Sequence, residues 1–124
     1  MADVVLVDTS VWVKHLRGND DTLAQLLEEG EVACHPFVIG ELACGGLKNR
    51  HEILSLLKDL PSTVLLDHDE IMEFIEYRKL MNRGIGYVDV HLLASALISD
   101  TLLWTLDKAL RKAANGFSIG YDAR

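Results

Sequence analysis

The stretch VVLVDTSVW, Val4 to Trp12, decides how the rest of the chain is interpreted. Its first four residues are apolar and mostly β-branched, and a continuous run of this length is typical of a buried parallel strand. The run ends at Asp8, and the hydroxyl residues Thr9 and Ser10 follow. Either hydroxyl can cap a short helix that runs to about Arg17. A carboxylate at the end of a buried strand needs a physical reason.

Strands and helices alternate along the remaining sequence, which predicts a single α/β domain over residues 1–124 with a mainly parallel sheet. Further strands are predicted at Glu31–Cys34, Val64–Leu66, Leu102–Thr105 and Phe117–Ile119. Helices are predicted from a cap at Asp20 or Asp21 to Glu29, and at Pro36–Cys44, Arg50–Asp59, Asp67–Asn82, Val88–Ile98 and Asp107–Ala114. The residues before Asp21, Gly18–Asp20, are predicted to form a loop.

Composition excludes several classes of protein. Of the 124 residues 49% are hydrophobic, enough for one core, yet no apolar run approaches the roughly 18 residues of a membrane span. The net charge of -7 argues against coating nucleic acid by bulk electrostatics, although acidic metal ligands would contribute to that charge. Cys34 and Cys44 have no CxxC spacing and are predicted to be core thiols. With no secretory signal at the start, a cytoplasmic location is expected.

Four of the acidic residues have apolar neighbours in the sequence or follow a predicted strand: Asp8, Glu41, Asp89 and Asp107. Asp8 and Asp107 each follow a predicted strand, Asp89 lies in the first turn of the most apolar helix, and Glu41 lies inside FVIGELAC. Burying an unpaired carboxylate costs several kcal/mol. The acidic run DHDE at 67–70 differs, because it stands where a helix begins and is best explained as a cap.

The topology offers a shared reason for the four acids. In a parallel sheet the carboxyl ends of the strands and the starts of the following helices meet at one edge, where ligands bind. Like charges gathered there raise one another's pKa, and a divalent cation removes that conflict. Ligands that are all oxygen suit Mg²⁺ or Mn²⁺ rather than zinc.

Each of these acids also has a plainer explanation. Asp8, Asp89 and Asp107 taken singly are explained equally well as helix caps. Glu41 has no capping role in mid-helix, but a buried ion pair with a lysine or arginine would account for it. Only the set of four favours a metal site, and the spacing leaves the reaction open.

The sequence resembles the PIN domains, and specifically the VapC-type toxins of type II toxin–antitoxin modules. Four pieces carry the resemblance in the family's order: VLVDTSVWV, VIGELACGGL, GYVDVHLLASAL and LLWTLDKAL. Together they span essentially the whole chain. The resemblance implies a three-layer α/β/α sandwich and a metal-dependent endoribonuclease that uses Mg²⁺, with Mn²⁺ as a possible substitute. It also implies a VapB-type antitoxin as partner and a homodimer.

The resemblance further implies that Asp8, Glu41, Asp89 and Asp107 form the family's acidic pocket. Thr9 or Ser10, and Thr105, are then hydroxyl partners near metal or phosphate. His91 departs from the family, which more often has an apolar or small residue there. Because residues i and i+2 of a helix point about 200° apart, His91 is predicted to pack in the core and not to act as a base beside Asp89.

Basic residues follow each proposed ligand and are candidates for contacts with the RNA backbone: Lys14, Arg17, Lys48, Arg50, Lys108, Arg111 and Lys112. For any single one, a solvated helix surface explains the residue at least as well. A pocket of this kind suits single-stranded RNA or a tRNA loop better than a duplex, because exposed backbone can enter it.

Three other functions remain as alternatives. A strand ending in Asp also begins the haloacid-dehalogenase-like phosphatases, but those need a second Asp two residues later, where this chain has Ser10. A receiver domain likewise needs a paired acid early in the chain. The third class is a non-catalytic PIN-fold module that binds RNA or protein, and the presence of all four acids argues against it.

Overall fold

A computed structural model describes residues 3–18 and 21–122 of the chain. Its sheet has three strands, β1 (Val5–Val7), β2 (Val32–Ala33) and β3 (Leu102–Trp104). The described residues also form seven helices: α1 (Thr9–Gly18), α2 (Asp21–Glu28), α3 (Pro36–Ala43), α4 (Arg50–Asp59), α5 (His68–Arg78), α6 (Tyr87–Ser99) and α7 (Lys108–Gly116). Asn19 and Asp20, predicted as loop and possible cap, lie outside the described residues.

The sheet is entirely parallel and places β1 in its centre, in the order β2-β1-β3. All three residues of β1 have no exposed surface, as expected for an apolar strand covered on both faces. Val7 pairs with Trp104, and the next amide, of Asp8, donates to the Trp104 carbonyl over 2.9 Å. Asp8 therefore lies beside the end of β3, at the carboxyl edge of the sheet.

The helices pack in two connected groups. In one group α1 contacts α3 and α3 contacts α4, and in the other α6 contacts α5, α7 and β3. Helix α6 has a continuous buried segment from Val90 to Ala96. This architecture confirms the predicted α/β sandwich. Along the described part of the chain, no helix is both long and apolar enough to cross a membrane.

Two of the predicted strands are wrong. The segment Val64–Leu66 is not a strand, because Val64 and Leu65 are more than half exposed and the neighbouring pairing is a single bridge between Cys34 and Ser62. Phe117 caps the end of α7, so the last pairing shifts to a bridge between Leu103 and Gly120.

The predicted helix Asp67–Asn82 ends early, at Arg78. Lys79 adopts the left-handed conformation (φ 54°), and the amide of Leu80 donates to the carbonyl of Ile75, which is the hydrogen bond of a Schellman motif. Tyr77, predicted on the apolar side of this helix, is 81% exposed. The left-handed residue is a lysine, which carries none of the glycine signal that marks helix ends in a sequence.

Two smaller predictions also fail. Helix α1 begins at Thr9 itself, and the amides of Val11 and Trp12 donate to the carbonyl of Asp8, so neither Thr9 nor Ser10 is the cap. Cys44 lies after the end of α3 and is exposed. Cys34 is buried as predicted, and burial raises the pKa of its thiol to about 11, which keeps it protonated.

Candidate active site

Asp8 is the buried member of the acidic set. Only 7% of its surface is exposed. One carboxylate oxygen, Oδ2, accepts hydrogen bonds from the hydroxyls of Ser10 (2.8 Å) and Thr105 (2.7 Å). A carboxylate oxygen in the interior needs donors of this kind, and here both come from side chains rather than from a positive charge.

Backbone amides hold the two hydroxyls in turn. The amide of Leu106 donates to Ser10 Oγ, and the amide of Asp107 donates to Thr105 Oγ1, both over 3.0 Å. Each hydroxyl therefore accepts from the backbone and donates to Asp8. The network ties the end of β1, the start of α1 and the β3–α7 connection into one unit and fixes the orientation of the Asp8 carboxylate.

The exposure of Glu41 differs from the burial that its apolar neighbours in the sequence indicate. Glu41 is exposed, because α3 buries Val38 and Leu42 and leaves the adjoining positions to solvent. Its carboxylate accepts a hydrogen bond of 2.6 Å from the Thr9 hydroxyl, across from α1. The reason for an acid here is therefore not burial in the core but its position over the start of α1, next to Asp8.

Asp89 and Asp107 both act as helix caps, which was the plainer explanation for each. Oδ2 of Asp89 accepts from the amide of Gly86 at the start of α6 (3.1 Å), and Oδ1 of Asp107 accepts from the amide of Leu110 at the start of α7 (2.9 Å). Capping and a role in the site are compatible, because each cap bond uses one of two carboxylate oxygens.

Asp89 interacts electrostatically with the other three acids. The pKa of Asp89 is raised above its ordinary value, first by burial and then by the negative charges of Asp8, Asp107 and Glu41, while the hydrogen bond from Gly86 lowers it. Residues 8, 41, 89 and 107 come from four separate segments, yet the fold gathers them at the carboxyl edge of the sheet. A cluster of like charges in this position is the arrangement that a bound cation stabilises.

The donor set fits a hydrated divalent cation. Within residues 3–18 and 21–122, no three His, Cys, Asp or Glu side chains come close enough together to enclose an ion by themselves. Mg²⁺ does not need such a cage, since it usually keeps several waters and binds through one or two carboxylates and substrate phosphates. Asp8 and Asp89 are the less exposed pair and could hold such an ion, while Glu41 and Asp107 are exposed on the solvent side.

A groove leads away from Glu41 between α1 and the α3–α4 connection. Its volume is about 550 Å³, and its lining includes Thr9 and Glu41 at one end together with the predicted cations Arg17 and Lys48. Apolar side chains form part of the lining, among them Leu16 and Leu47. Of the seven predicted basic residues, these two therefore line the same groove as Glu41.

The other five predicted basic residues do not line this groove. The guanidinium of Arg50 donates to the carbonyl of Ala43, and that of Arg111 donates to the carbonyl of Thr105. Both guanidinium groups are therefore engaged with backbone. Three lysines are exposed on helix surfaces: Lys14 on α1 and Lys108 and Lys112 on α7.

The DHDE run is a cap, as predicted. Asp67 accepts from the amide of Glu70, and Glu70 accepts in return from the amide of Asp67, which is a reciprocal capping box. His91 is buried, also as predicted, and its ring packs 4.5 Å from that of Phe37. The pKa of His91 is lowered by burial and by the nearby His68, so the ring is neutral near pH 7.

Three rings near the site were not singled out from the sequence. Tyr87 opens α6 with 43% of its surface exposed, and its hydroxyl lies 2.7 Å from Nδ1 of His68 at the start of α5. His35 follows β2, is wholly buried, and has a pKa lowered to about 4, first by burial and then by His91. Neither the capping motif around His68 nor the helix pattern around Tyr87 signals this contact.

A sheet of this topology with carboxylates at its carboxyl edge defines the class of α/β domains that bind a ligand where the strands end. The sequence profile described as "PIN domain" matches residues 5–116, which is most of the chain. The protein belongs to the PIN domain family.

Curated relatives agree with this assignment. The chain is 47% identical over 111 residues to "Ribonuclease VapC32" of Mycobacterium tuberculosis, in both strain CDC 1551 / Oshkosh and strain ATCC 25618 / H37Rv. The match covers 89% of this chain and 90% of each relative. Among solved structures, the fold is similar to a chain of "Structure of FitAB bound to IR36 DNA fragment", with a TM-score of 0.60, 17% identity, and 90% and 91% of the two chains covered.

Proposed function

We propose that this protein is a divalent-metal-dependent endoribonuclease that acts as the toxin of a type II toxin–antitoxin module. The observation that carries the proposal is the electrostatic coupling of Asp89 to Asp8, Glu41 and Asp107 at one edge of the sheet. The similarity to a protein named as a ribonuclease, over nine-tenths of both chains, supports the same reaction.

Mg²⁺ is the proposed cofactor, and Mn²⁺ is a possible substitute. All the donors are oxygen atoms, which these ions prefer. Bound at the site, the ion supplies Lewis-acid chemistry, stabilising charge on the phosphate and lowering the pKa of water. Asp8 and Asp89 are the proposed ligands, with Glu41 as a ligand directly or through water.

The chain's own residues orient the reactants. The hydroxyls of Ser10 and Thr105 fix the carboxylate of Asp8, so that its free oxygen keeps one direction. Asp107, exposed at the start of α7, is the acid proposed to orient the attacking water and accept its proton. The water oxygen then bonds to phosphorus, the P–O bond to the neighbouring nucleotide breaks, and the leaving oxygen takes up a proton from solvent.

Arg17 and Lys48 are the proposed contacts for the RNA backbone near the site, because they share a groove with Glu41. Lys14, Arg50, Lys108, Arg111 and Lys112 are proposed as a wider, weaker rim. With a net charge of -7, the surface as a whole repels RNA, so the substrate must be held locally. Single-stranded RNA or a tRNA loop can present its backbone to such a pocket.

The test is cleavage of single-stranded RNA by the wild-type protein and by Asp8→Asn. The wild type is expected to cleave in Mg²⁺ and to stop when EDTA is added. Asp8→Asn keeps an oxygen acceptor for the two hydroxyls but loses the charge, so it should stay folded and lose about 100-fold or more in rate.

Asp100→Asn is the matched control. Asp100 is exposed and left-handed (φ 57°), a conformation that Asn tolerates, and it precedes β3 at the opposite edge of the sheet from Asp8. This variant should cleave like the wild type. Cleavage that survives EDTA, or that Asp8→Asn leaves unchanged, would show that the acidic set does not perform the reaction.

As a toxin, the protein would have a small VapB-type antitoxin as partner, and it would form a homodimer. Expression without the antitoxin should arrest growth, and Asp8→Asn should not. Light scattering measures whether the purified chain is a dimer.

The phosphatase alternative is less well supported. It needs an acid two residues after Asp8, and Ser10 stands there with its hydroxyl donating to Asp8. A phosphatase of that class forms an acyl-phosphate on the aspartate, so trapping of labelled phosphate on Asp8 would identify it.

A further inference from the structure

The ring of Tyr87 is partly exposed to solvent, and contacts with neighbouring side chains hold it in place. Tyr87 is the first residue of α6 and is 43% exposed. One side of its ring packs against His91, with ring centres 4.7 Å apart and planes at 78°. His91 is buried and packs in turn on Phe37. A tyrosine side chain has few rotatable bonds, and this packing restricts them further, so little entropy remains to be lost when something binds its open face.

The hydroxyl of Tyr87 is also held. It lies 2.7 Å from Nδ1 of His68, and the two ring centres are 5.6 Å apart. His68 is the first residue of α5, so this contact joins the starts of α5 and α6. Tyr77, near the end of α5, is a more exposed tyrosine (81%), and the contact of its ring is with the flexible Arg78 side chain, 5.5 Å from the ring centre.

Two ring contacts link Tyr87 to α3, the helix that carries Glu41: the ring centre of His91 lies 4.7 Å from that of Tyr87 and 4.5 Å from that of Phe37. Tyr87 and Asp89 are two residues apart on α6, so their side chains leave the helix in directions about 200° apart. Phe37 is four residues before Glu41 and shares a face of α3 with it. Tyr87 is therefore connected to the Glu41 end of the acidic set through His91 and Phe37, at a separation that suits the base of a neighbouring nucleotide better than the phosphate held by the acids.

The local charge decides what that surface binds. Asp67, Asp69 and Glu70 surround His68 at the start of α5, and all three are exposed. Such a site repels a phosphate group but not the flat, uncharged face of a nucleobase. Base stacking on an aromatic ring contributes to the binding of single-stranded nucleic acid and tolerates any base.

We propose that Tyr87, oriented by His68 and His91, is the stacking platform for the base of a nucleotide next to the scissile phosphate. The inference rests on the proposed function, because it needs an RNA substrate. Tyr87 is then a residue that positions the substrate strand along the pocket. His68 and His91 act through Tyr87 and do not touch the RNA.

The test uses an oligoribonucleotide with 2-aminopurine beside the mapped cleavage site, bound to Asp8→Asn so that it stays intact. Stacking quenches 2-aminopurine fluorescence. Tyr87→Leu in this background should abolish the quenching and weaken binding by roughly 5- to 100-fold, the range expected for one lost stacking contact. Tyr87→Phe keeps the ring and should stay within about threefold of the parent. Tyr77→Leu, the same kind of change on α5, should match the parent in both measurements.

A substrate change tests the same point without altering the protein. Removing the base from the neighbouring nucleotide should weaken binding to the parent as much as Tyr87→Leu does, and should cost Tyr87→Leu nothing more. If the base-free substrate binds the parent as well as the intact one, the inference is wrong, even if Tyr87→Leu does not fold.

The failure of this inference can be told apart from failure of the proposed function. If the wild type does not cleave RNA in Mg²⁺ or Mn²⁺, the proposed function fails. If the wild type cleaves while Tyr87→Leu retains the quenching and the wild-type KM, only the stacking platform is overturned.

Discussion

Asp8 and its two hydroxyl partners form the smallest unit on which the proposed chemistry depends. The position of Asp8 could be predicted, because an apolar strand that ends in an acid can point that acid only at the edge of the sheet. Thr105 could be placed by the same reasoning at the end of β3. The exposure of Glu41 could not, since its apolar neighbours suggested burial and only the packing of Val38 and Leu42 decides which way α3 faces.

Replacing Thr105 tests how far Asp8 depends on its donors. Thr105→Val has the same shape but no hydroxyl, so a nearly buried carboxylate oxygen loses one donor and the amide of Asp107 loses its acceptor. The expected loss is about 1–3 kcal/mol in the free energy of unfolding, measured in urea, and about tenfold or more in cleavage rate.

Thr105→Ser is the matched control, because it keeps the hydroxyl and removes only a methyl group. It should retain most of the wild-type rate. If Val and Ser variants have equal rates, the hydroxyl does not orient Asp8.

At the scale of the elements, buried segments with a clear apolar pattern were predicted well, and segments without such a pattern poorly. The buried α6 and the strands β1 and β3 were predicted within about two residues, because their apolar patterns reflect burial directly. The segments around Ser62 and Gly120 each contribute one bridge, which leaves almost no pattern to detect. The end of α5 was missed because Lys79 is not a residue that marks a left-handed turn.

Lys79→Gly should therefore stabilise the protein. Lys79 holds φ at 54°, which costs a residue with a β-carbon more than it costs glycine. The free energy of unfolding should rise by about 0.5–1 kcal/mol, seen as a higher urea midpoint with an unchanged slope.

Lys58→Gly, an exposed lysine inside α4, is the comparison. Glycine within a regular helix should lower stability by a similar amount. Loss of stability in both variants would mean that the turn after α5 carries no strain.

At the scale of the whole molecule, the fold concentrates negative charge at one edge of the sheet in a chain whose net charge is already -7. The sequence pointed to the four acids as a set, and the resemblance to PIN domains named them. What it could not provide was the coupling between them, because that depends on how the helices that carry Glu41 and Asp89 pack around the end of β1. The ring contacts of Tyr87 could not be predicted either, because they also depend on how the helices pack together.

This negative charge should lower the stability of the metal-free protein at neutral pH, relative to acidic pH where Asp89 is protonated. The folded-state pKa of Asp89 is raised above the ordinary 3.8, so ionising this carboxyl costs the folded state more than the unfolded state. The penalty is absent below the ordinary pKa and is complete above the raised one. Stability from this group therefore falls as pH rises through that window.

Asp89→Asn removes the charge and keeps an oxygen acceptor for the amide of Gly86. At pH 7 without metal it should raise the Tm by roughly 1–3 °C, a modest value because the site is partly open to solvent. Near pH 3, where the wild-type carboxyl is protonated, the gain should vanish. An equal gain at both pH values would attribute the effect to packing and not to charge.

The most direct test of the central claim, that these acids together hold a divalent cation, is calorimetric titration of the protein with Mn²⁺. The wild type and Asp100→Asn are predicted to bind the ion with the same affinity, while Asp8→Asn binds it at least about tenfold more weakly because it loses a ligand charge. Equal binding of Mn²⁺ by the wild type and Asp8→Asn would contradict the account.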